Sequence, residues 1–424
     1  IKEELALGKS YQQAVADGYK RSYAPVLDGH VTSLITAVIL YIFGVGPILG
    51  FATTQILALL LSLFSGILIS RLITEMYMHR GRHFNYFTNI SKKIFKKAHF
   101  DFIKVRKVTY VISGIFILAG LASFIRGFDY GVEFSGGRSY TIKFDQPHKV
   151  SEVREKLHNH LESYPVVKTI GSSDKLNITT DYLIERSGKE VDALVLDKLF
   201  TGLKAENLLP ADLSIEVFSS KYIEKSDKVE PSISRDLVNG AKWATIISLI
   251  AIFLYIFARF RKWQYSIGTI VSLIHDAAIV LAIFSFLKDI VPFALEIDQH
   301  FIAALLTVIG FSMNDTVIVF DRIREYFRKT PNANRKDVVN SAINDTLSRT
   351  VMTSVTVFIT VLVLFIFGGE ALRGFAFAMM IGVAAGTYSS IFVASPILID
   401  LDKKDSLRIE EDKEERIRLL KEQA

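Results

Sequence analysis

Eight long runs of this sequence carry almost no charge, and nothing constrains its fold more. They cover approximately residues 31–51 without the Gly- and Pro-rich end, then 55–72, 108–125, 241–257, 267–287, 301–320, 351–367 and 374–398. An α-helix rises 1.5 Å per residue, so about 18 to 20 apolar residues cross the roughly 30 Å hydrocarbon core of a bilayer. Length alone, 424 residues, would allow two or three soluble domains. Half of those residues are hydrophobic, however, and the 22 % that are charged crowd between the runs. The expectation is a polytopic α-helical membrane protein with about eight transmembrane helices. The sequence has no cysteine, which removes disulfides, thiol catalysis, iron–sulfur clusters and thiolate zinc sites together.

Basic residues in short loops orient such a chain, because they stay on the cytoplasmic side. Arg80, Arg82, Lys92, Lys93, Lys96, Lys97, Lys104, Arg106 and Lys107 lie between the second and third runs, which makes a basic cytoplasmic linker of residues 74–106. Alternating from there, Arg259, Arg261, Lys262, Arg322, Arg324, Arg328 and Lys329 are cytoplasmic too. So are residues 1–27 and the charged tail 399–424, whose alternating charges suggest an exposed helix. The net charge of +6 is thereby absorbed, and no nucleic-acid surface is expected. The chain opens Ile1-Lys2-Glu3-Glu4, without methionine or a basic-then-apolar leader, and is expected to be a fragment or a processed product.

Residues 107–127 read as the third membrane helix, 128–239 as an external domain and 240–398 as five further helices. Within the domain, the patterning predicts strands at 138–144, 166–170, 176–180 and 213–218 and helices at 150–161 and 189–203. This β-α-β-β-α-β order is the ferredoxin-like arrangement. Phe134-Ser135-Gly136-Gly137 lacks the lysine and the strand–loop–helix setting of a phosphate cradle and reads as a turn entering the domain. Work done by this chain then has to come from an ion gradient or a partner, and no enzymatic activity is expected.

The sequence also repeats. Ile42-Phe43-Gly44 followed by Gly50-Phe51-Ala52 recurs, with the same internal spacing, as Ile366-Phe367-Gly368 followed by Gly374-Phe375-Ala376. The first two helices are thus the last two of a module whose second copy has six, with its domain after the first. Tandem modules of this kind suit a secondary transporter whose coupling site lies where the halves meet. A first half this short is expected to leave the chain silent on its own.

Ionisable residues inside spans cost about 2.5–3.5 kcal/mol each on insertion scales and are functional candidates by default. Asp315 lies within its run. It reads either as a proton carrier or as a structural carboxylate capped by Ser312 and Thr316. Arg349 is either an interfacial anchor or a permanent cation that holds an aspartate ionised. Asp28 is either a helix N-cap at the start of the first span or, by the repeat, a group facing Arg349 and Asp315 across the halves. His275 and Asp276 point about 100° apart, which suits a hydrogen-bonded packing pair or a proton relay better than a metal site.

Several of these segments resemble the bacterial SecD and SecF export proteins of the resistance–nodulation–division superfamily. SecF-like segments are Phe311-Ser312-Met313-Asn314-Asp315-Thr316 continuing through Asp321-Arg322-Ile323-Arg324-Glu325, Leu273-Ile274-His275-Asp276, Gly131-Val132-Glu133-Phe134-Ser135-Gly136-Gly137, and Arg349-Thr350 with Thr353-Ser354. Leu27-Asp28-Gly29-His30-Val31-Thr32-Ser33 with Gly44-Val45-Gly46-Pro47 resembles the end of SecD, so residues 28–73 would be the last two helices of a SecD-like half in a fused SecDF. His30 and Ser33 stand where that pattern more often has Asn and Thr, and Glu230 replaces a usual Gly. The resemblance implies a plasma-membrane accessory subunit of the Sec translocon that uses the proton-motive force to promote translocation and release of unfolded preproteins. Its partners would be the translocon channel and associated membrane subunits, the preprotein, protons and the bilayer. Asp28, Asp315 and Arg349 would line the proton pathway, with His275, Asp276, Asn314, Thr316 and Thr32 as supporting polar groups. It implies no cofactor and no metal. The alternative is a proton-coupled small-molecule exporter of the same superfamily, and a passive scaffold is a third reading.

Overall fold

The computed structural model describes residues 1–44, 47–86, 99–170, 172–186, 188–229, 231–291, 293–330, 333–402 and 407. The tail helix, most of the basic linker's lysines, the Val45-Gly46 pair and Glu230 lie outside the described residues. Among the described residues, 8 helices are long and apolar enough to span a bilayer: α1 (Tyr11–Phe43), α2 (Ile48–His79), α3 (Arg106–Arg126), α6 (Ser234–Phe260), α7 (Trp263–Leu287), α8 (Gln299–Lys329), α9 (Arg335–Phe367) and α10 (Leu372–Leu401). Several outrun their apolar segments because polar turns with good caps extend them into water. Ser10 accepts a hydrogen bond from the Gln13 amide at the start of α1, and Asn334 accepts one from Lys336 at the start of α9. Asp28 therefore sits well inside α1, which rules out the N-cap reading of that residue.

The repeat is visible in the helices themselves. Helices α1 and α9 are each 33 residues long. Both end where a glycine amide, Gly44 or Gly368, donates to the carbonyl of Leu40 or Leu364 at 2.7 Å. The helix after each contains one π-helical turn, Ser65–Ile69 in α2 and Ser390–Ala394 in α10.

The hub of the membrane region is α8. In its most apolar window 83 % of residues are buried, against none in α2 and 17 % in α9. It packs on α1, α7, α9 and α10. Lipid supplies no hydrophobic drive between helices, so small residues that let backbones approach set such contacts. A Cβ on Gly382 of α10 would come within 2.2 Å of Val308 Cγ2, and one on Gly29 of α1 within 2.1 Å of Asn314 Oδ1.

The domain is a four-stranded antiparallel sheet in the order β3 (Val166–Ile170), β4 (Ser172–Thr180), β2 (Gly137–Lys143), β5 (Ile223–Val229). Helices α4 (Val150–Leu161) and α5 (Lys189–Ala205) pair with each other and share one core with the sheet. Ile142, Leu157, Leu176, Ile178, Leu199 and Leu203 are fully buried in that core. Order and direction are those of the ferredoxin-like fold. The turn before β2 needs its glycines: Gly136 and Gly137 have φ of 72° and 117°, and a Cβ on Gly137 would come within 2.6 Å of the Thr180 carbonyl oxygen.

One strand differs from expectation. Residues 213–218, expected as the last strand, contain a helical turn over Ile215–Val217, started by Ser214 accepting from the Val217 amide and continued by a π turn over Phe218–Tyr222. Phe218 and Tyr222, four residues apart, both face the core, so their spacing is helical. The true strand, β5, is a charged edge with apolar residues only at its ends, a composition that blunts edge pairing and hides the alternation.

A two-residue parallel pair, β1 (Asp129–Tyr130) with β6 (Glu296–Ile297), ties the domain's entry to the segment before α8. Lys168 of β3 lies 2.9 Å from Glu296, and Lys288 lies 3.1 Å from Asp129. Asp298 then caps α8, accepting from the Phe301 amide at 2.7 Å. Burial, together with the nearby Glu133 and Glu296, pushes the Asp298 carboxyl up to about 7.

Candidate intramembrane charge site

Asp315 lies on the hub helix and is buried. Its carboxylate receives Ser354 Oγ at 3.2 Å and Thr353 Oγ1 at 3.4 Å, both from α9. Thr387 of α10 donates in turn to Ser354 at 2.6 Å. The caps expected from Ser312 and Thr316 are not made: Ser312 donates elsewhere, and Thr316 back-bonds to the Ser312 carbonyl at 3.2 Å. Ser354 and Thr353 each have one hydroxyl proton and also reach carbonyls of their own helix, at 2.8 and 2.9 Å. A carboxyl group in this setting can accept from the hydroxyls when ionised and donate to one of them when protonated.

Arg349 lies about one turn before these hydroxyls on α9; its carbonyl accepts from Thr353 Oγ1 at 3.1 Å, and its side chain makes no hydrogen bond or ion pair among the described residues. It lines a cavity of about 730 Å³ between α1, α8 and α9, shared with Glu3, Arg259, Asp321, Arg322 and Arg324. An always-charged guanidinium, open to water one turn from a buried carboxyl, can be drawn toward that carboxyl when it ionises.

Asp28 does not meet Arg349. Its Oδ1 accepts from Tyr255 Oη at 2.7 Å and its Oδ2 from Arg259 Nε at 2.7 Å. Arg259 also reaches Asp321 Oδ1 on α8 at 3.2 Å. The sequence expectation that Asp28 faces Arg349 is thus corrected: the guanidinium it meets is that of Arg259, supplied by α6. Tyr255 and Arg259 are four residues apart on one face of α6, and that spacing near a helix end was the available signal. Thr32 is buried and back-bonds to the Gly29 carbonyl, while Asn314 sits under Gly29 at the α1–α8 crossing. His275 and Asp276 form a separate buried cluster between α7, α8 and α10. Among the described residues, no group of three or more His, Cys, Asp or Glu could hold a metal ion.

Fold and site together define a multi-pass α-helical membrane protein with a repeated helix pair, a ferredoxin-like domain between two spans, and carboxylates buried among its membrane helices. The profile described as protein export membrane protein SecD/SecF, C-terminal, matches residues 211–404, and the SecD/SecF GG motif matches residues 121–147. The protein translocase subunit SecF of Rhodothermus marinus is 41 % identical over 317 residues, covering 74 % of this chain and 97 % of that protein. The protein translocase subunit SecDF of Thermus thermophilus is 33 % identical over 405 residues, covering 94 % of this chain and 51 % of that protein. The crystal structure of SecDF from Thermus thermophilus, a translocon-associated membrane protein, matches with a TM-score of 0.80 at 29 % identity, covering 95 % of this chain and 52 % of that one. The chain belongs to the SecD/SecF family of protein-export membrane proteins. It spans nearly the whole SecF relative and about half of the SecDF relatives.

Proposed function

We propose that this chain is a non-enzymatic component of the Sec protein-export machinery that uses the proton-motive force to promote translocation and release of preproteins. The observation that carries the reading is the setting of Asp315, a buried carboxyl held by hydroxyls on the same helix that bears the unpaired Arg349. A proton on Asp315 removes the charge that attracts Arg349, and a proton lost restores it, so α9 has two positions against the hub. The basic ends of the helices are read as cytoplasmic and the ferredoxin-like domain as external, with both described ends of the chain inside. The tie between the domain and α8 through β1, β6 and Asp298 offers a route by which movement in the membrane reaches the domain. The translocon and an unfolded preprotein are the partners this reading requires.

The test is proton uptake and preprotein release in sealed vesicles containing the translocon and the full chain. Asp315→Asn should abolish proton-driven stimulation while leaving membrane insertion and thermal stability unchanged. Normal stimulation in that variant refutes the reading.

A further inference from the structure

Asp276 and His275, on α7, are both fully buried. Asp276 Oδ2 accepts from Ser312 Oγ of α8 at 2.6 Å and from Ser389 Oγ of α10 at 2.8 Å. Its Oδ1 lies 3.0 Å from His275 Nδ1. With Asp276 ionised, its carboxylate is acceptor-only, so the imidazole is the donor to Oδ1 and carries its proton on Nδ1. That leaves Nε2 with a lone pair, buried and without a hydrogen-bond partner among the described residues.

A buried ring nitrogen left unpaired is costly, and an apolar residue would fill the space without that cost. The groups facing the pair are Phe116 from α3, Ser312 from α8, and Tyr388 with Ser389 from α10. Tyr388 stacks on the imidazole with ring centroids 5.6 Å apart, and its hydroxyl lies 3.2 Å from the Thr109 carbonyl and 3.3 Å from Ser113 Oγ. Tyr388 is the one titratable group among these neighbours, and none of them is a cation. The one charge beside His275 is Asp276, placed to stabilise an imidazolium.

We infer that His275 is a second proton-accepting group of this protein, with Asp276 as the positioning residue that fixes its tautomer and balances its charge. When a proton arrives from a hydronium ion, the Nε2–H bond forms, one O–H bond of the hydronium breaks, and a water is left. Ser312 connects this pair to the hub helix one turn from Asp315, so its charge state is felt where the coupling carboxyl sits. The inference deepens the proton-coupled reading and rests on it for its consequence, but not for its chemistry.

Two measurements test it on the full chain in lipid nanodiscs or vesicles. In ¹⁵N-histidine-labelled protein, the His275 resonances, assigned by their loss in His275→Gln, should show the Nδ1–H tautomer at high pH and imidazolium as the pH falls. A neutral ring across the whole range in which the protein stays folded, or the Nε2–H tautomer, overturns the assignment. In vesicles, His275→Gln should lower proton flux about tenfold or more with an unchanged melting temperature; undiminished flux overturns it as well. If the wild-type chain moves no protons even beside the translocon, the export reading fails, and the nitrogen spectra still decide the chemistry at His275.

Discussion

Replacing Arg259 by Gln takes away the guanidinium that α6 extends to Asp28 and Asp321. The Asp28 side chain is 9 % exposed and that of Arg259 is 23 % exposed, so the pair is buried on one side and near water on the other. Stripping one partner from a buried pair costs about 3–5 kcal/mol. Tyr255 still donates to Asp28 and solvent reaches Arg259, so the lower end applies, about 3 kcal/mol. Asp28→Asn should cost a similar amount, because it leaves the cation facing only Asp321. The double variant leaves no orphaned charge at Asp28 and should cost less than the sum, with a coupling of about 1.5 kcal/mol or more. The control is the same cycle with Arg349→Gln, which should be additive with Asp28→Asn to within about 0.5 kcal/mol. The assay is reversible unfolding in mixed micelles, read by tryptophan fluorescence from Trp243 and Trp263. Additivity at Asp28 and Arg259, or strong coupling at Asp28 and Arg349, would refute the pairing.

The pH response of the domain junction has a definite sign. The Asp298 carboxyl is raised from an ordinary 3.8 to about 7, so the folded protein holds this proton more tightly than the unfolded chain does. Its contribution is complete below about pH 4 and is lost as the pH rises through about 7. Asp298→Asn keeps an N-cap. Its melting temperature should vary less between pH 4.5 and 7.5 than the wild type's, and equal slopes would exclude the effect. At the α8–α10 crossing, Gly382→Ala should destabilise by about 1–2 kcal/mol after its gain in helix propensity, since Val308 has to give way. Gly50→Ala, with nothing within 4 Å, should be neutral or slightly stabilising in the same unfolding assay. Because the chain has no cysteine, spin labels can be placed at Leu194→Cys on the domain and Ile290→Cys beside the membrane region without background. Their distance distribution should broaden in Arg259→Gln and not in Arg349→Gln; the reverse pattern would show that Arg259 does not restrain α6.

Much of this was legible because a bilayer punishes exceptions. Apolar runs declare the spans, and a buried Asp315 declares itself against them. The repeated Ile-Phe-Gly and Gly-Phe-Ala segments foretold two helix pairs that do coincide in length and in their π turns. What could not be read was partnership. Arg259 has a generic explanation at the end of a span, as one more cytoplasmic cation, so its role with Asp28 appears only once α6 is packed beside α1. Thr353 and Ser354 stand out only through the family resemblance, and Thr387 and Ser389 look like ordinary hydroxyl residues, until α9 turns the first two to Asp315 and α10 sets Thr387 on Ser354 and Ser389 on Asp276. The misplaced strand in the domain has a related cause: β5 pairs through its backbone at an edge, and its charged side chains carry no alternation to detect.

The two carboxylates on the proposed proton pathway act on different helices, and that difference limits what each can do. Asp315 holds α9, which is mostly unburied and so free to shift against the hub at small packing cost. Asp28 holds α6 through Arg259, and α6 is the helix by which the chain returns from the domain, with Ser234 near its start bonded to the Phe134 carbonyl at 2.6 Å. A change at Asp315 alone therefore moves a helix that has no direct bond to the domain among the described residues. The domain is fastened to the membrane region through β1, β6 and the cap on α8, and through α6. Since α8 is too buried to move by itself, a swing of the domain has to loosen α6, and the grip on α6 is the Asp28–Arg259–Asp321 cluster. Arg349 and Arg259 line the same cavity, so an arginine drawn out of it toward Asp315 changes the field at the other. On this geometry the shared cavity, rather than a chain of packed side chains, is the route open to any coupling between the two carboxylates.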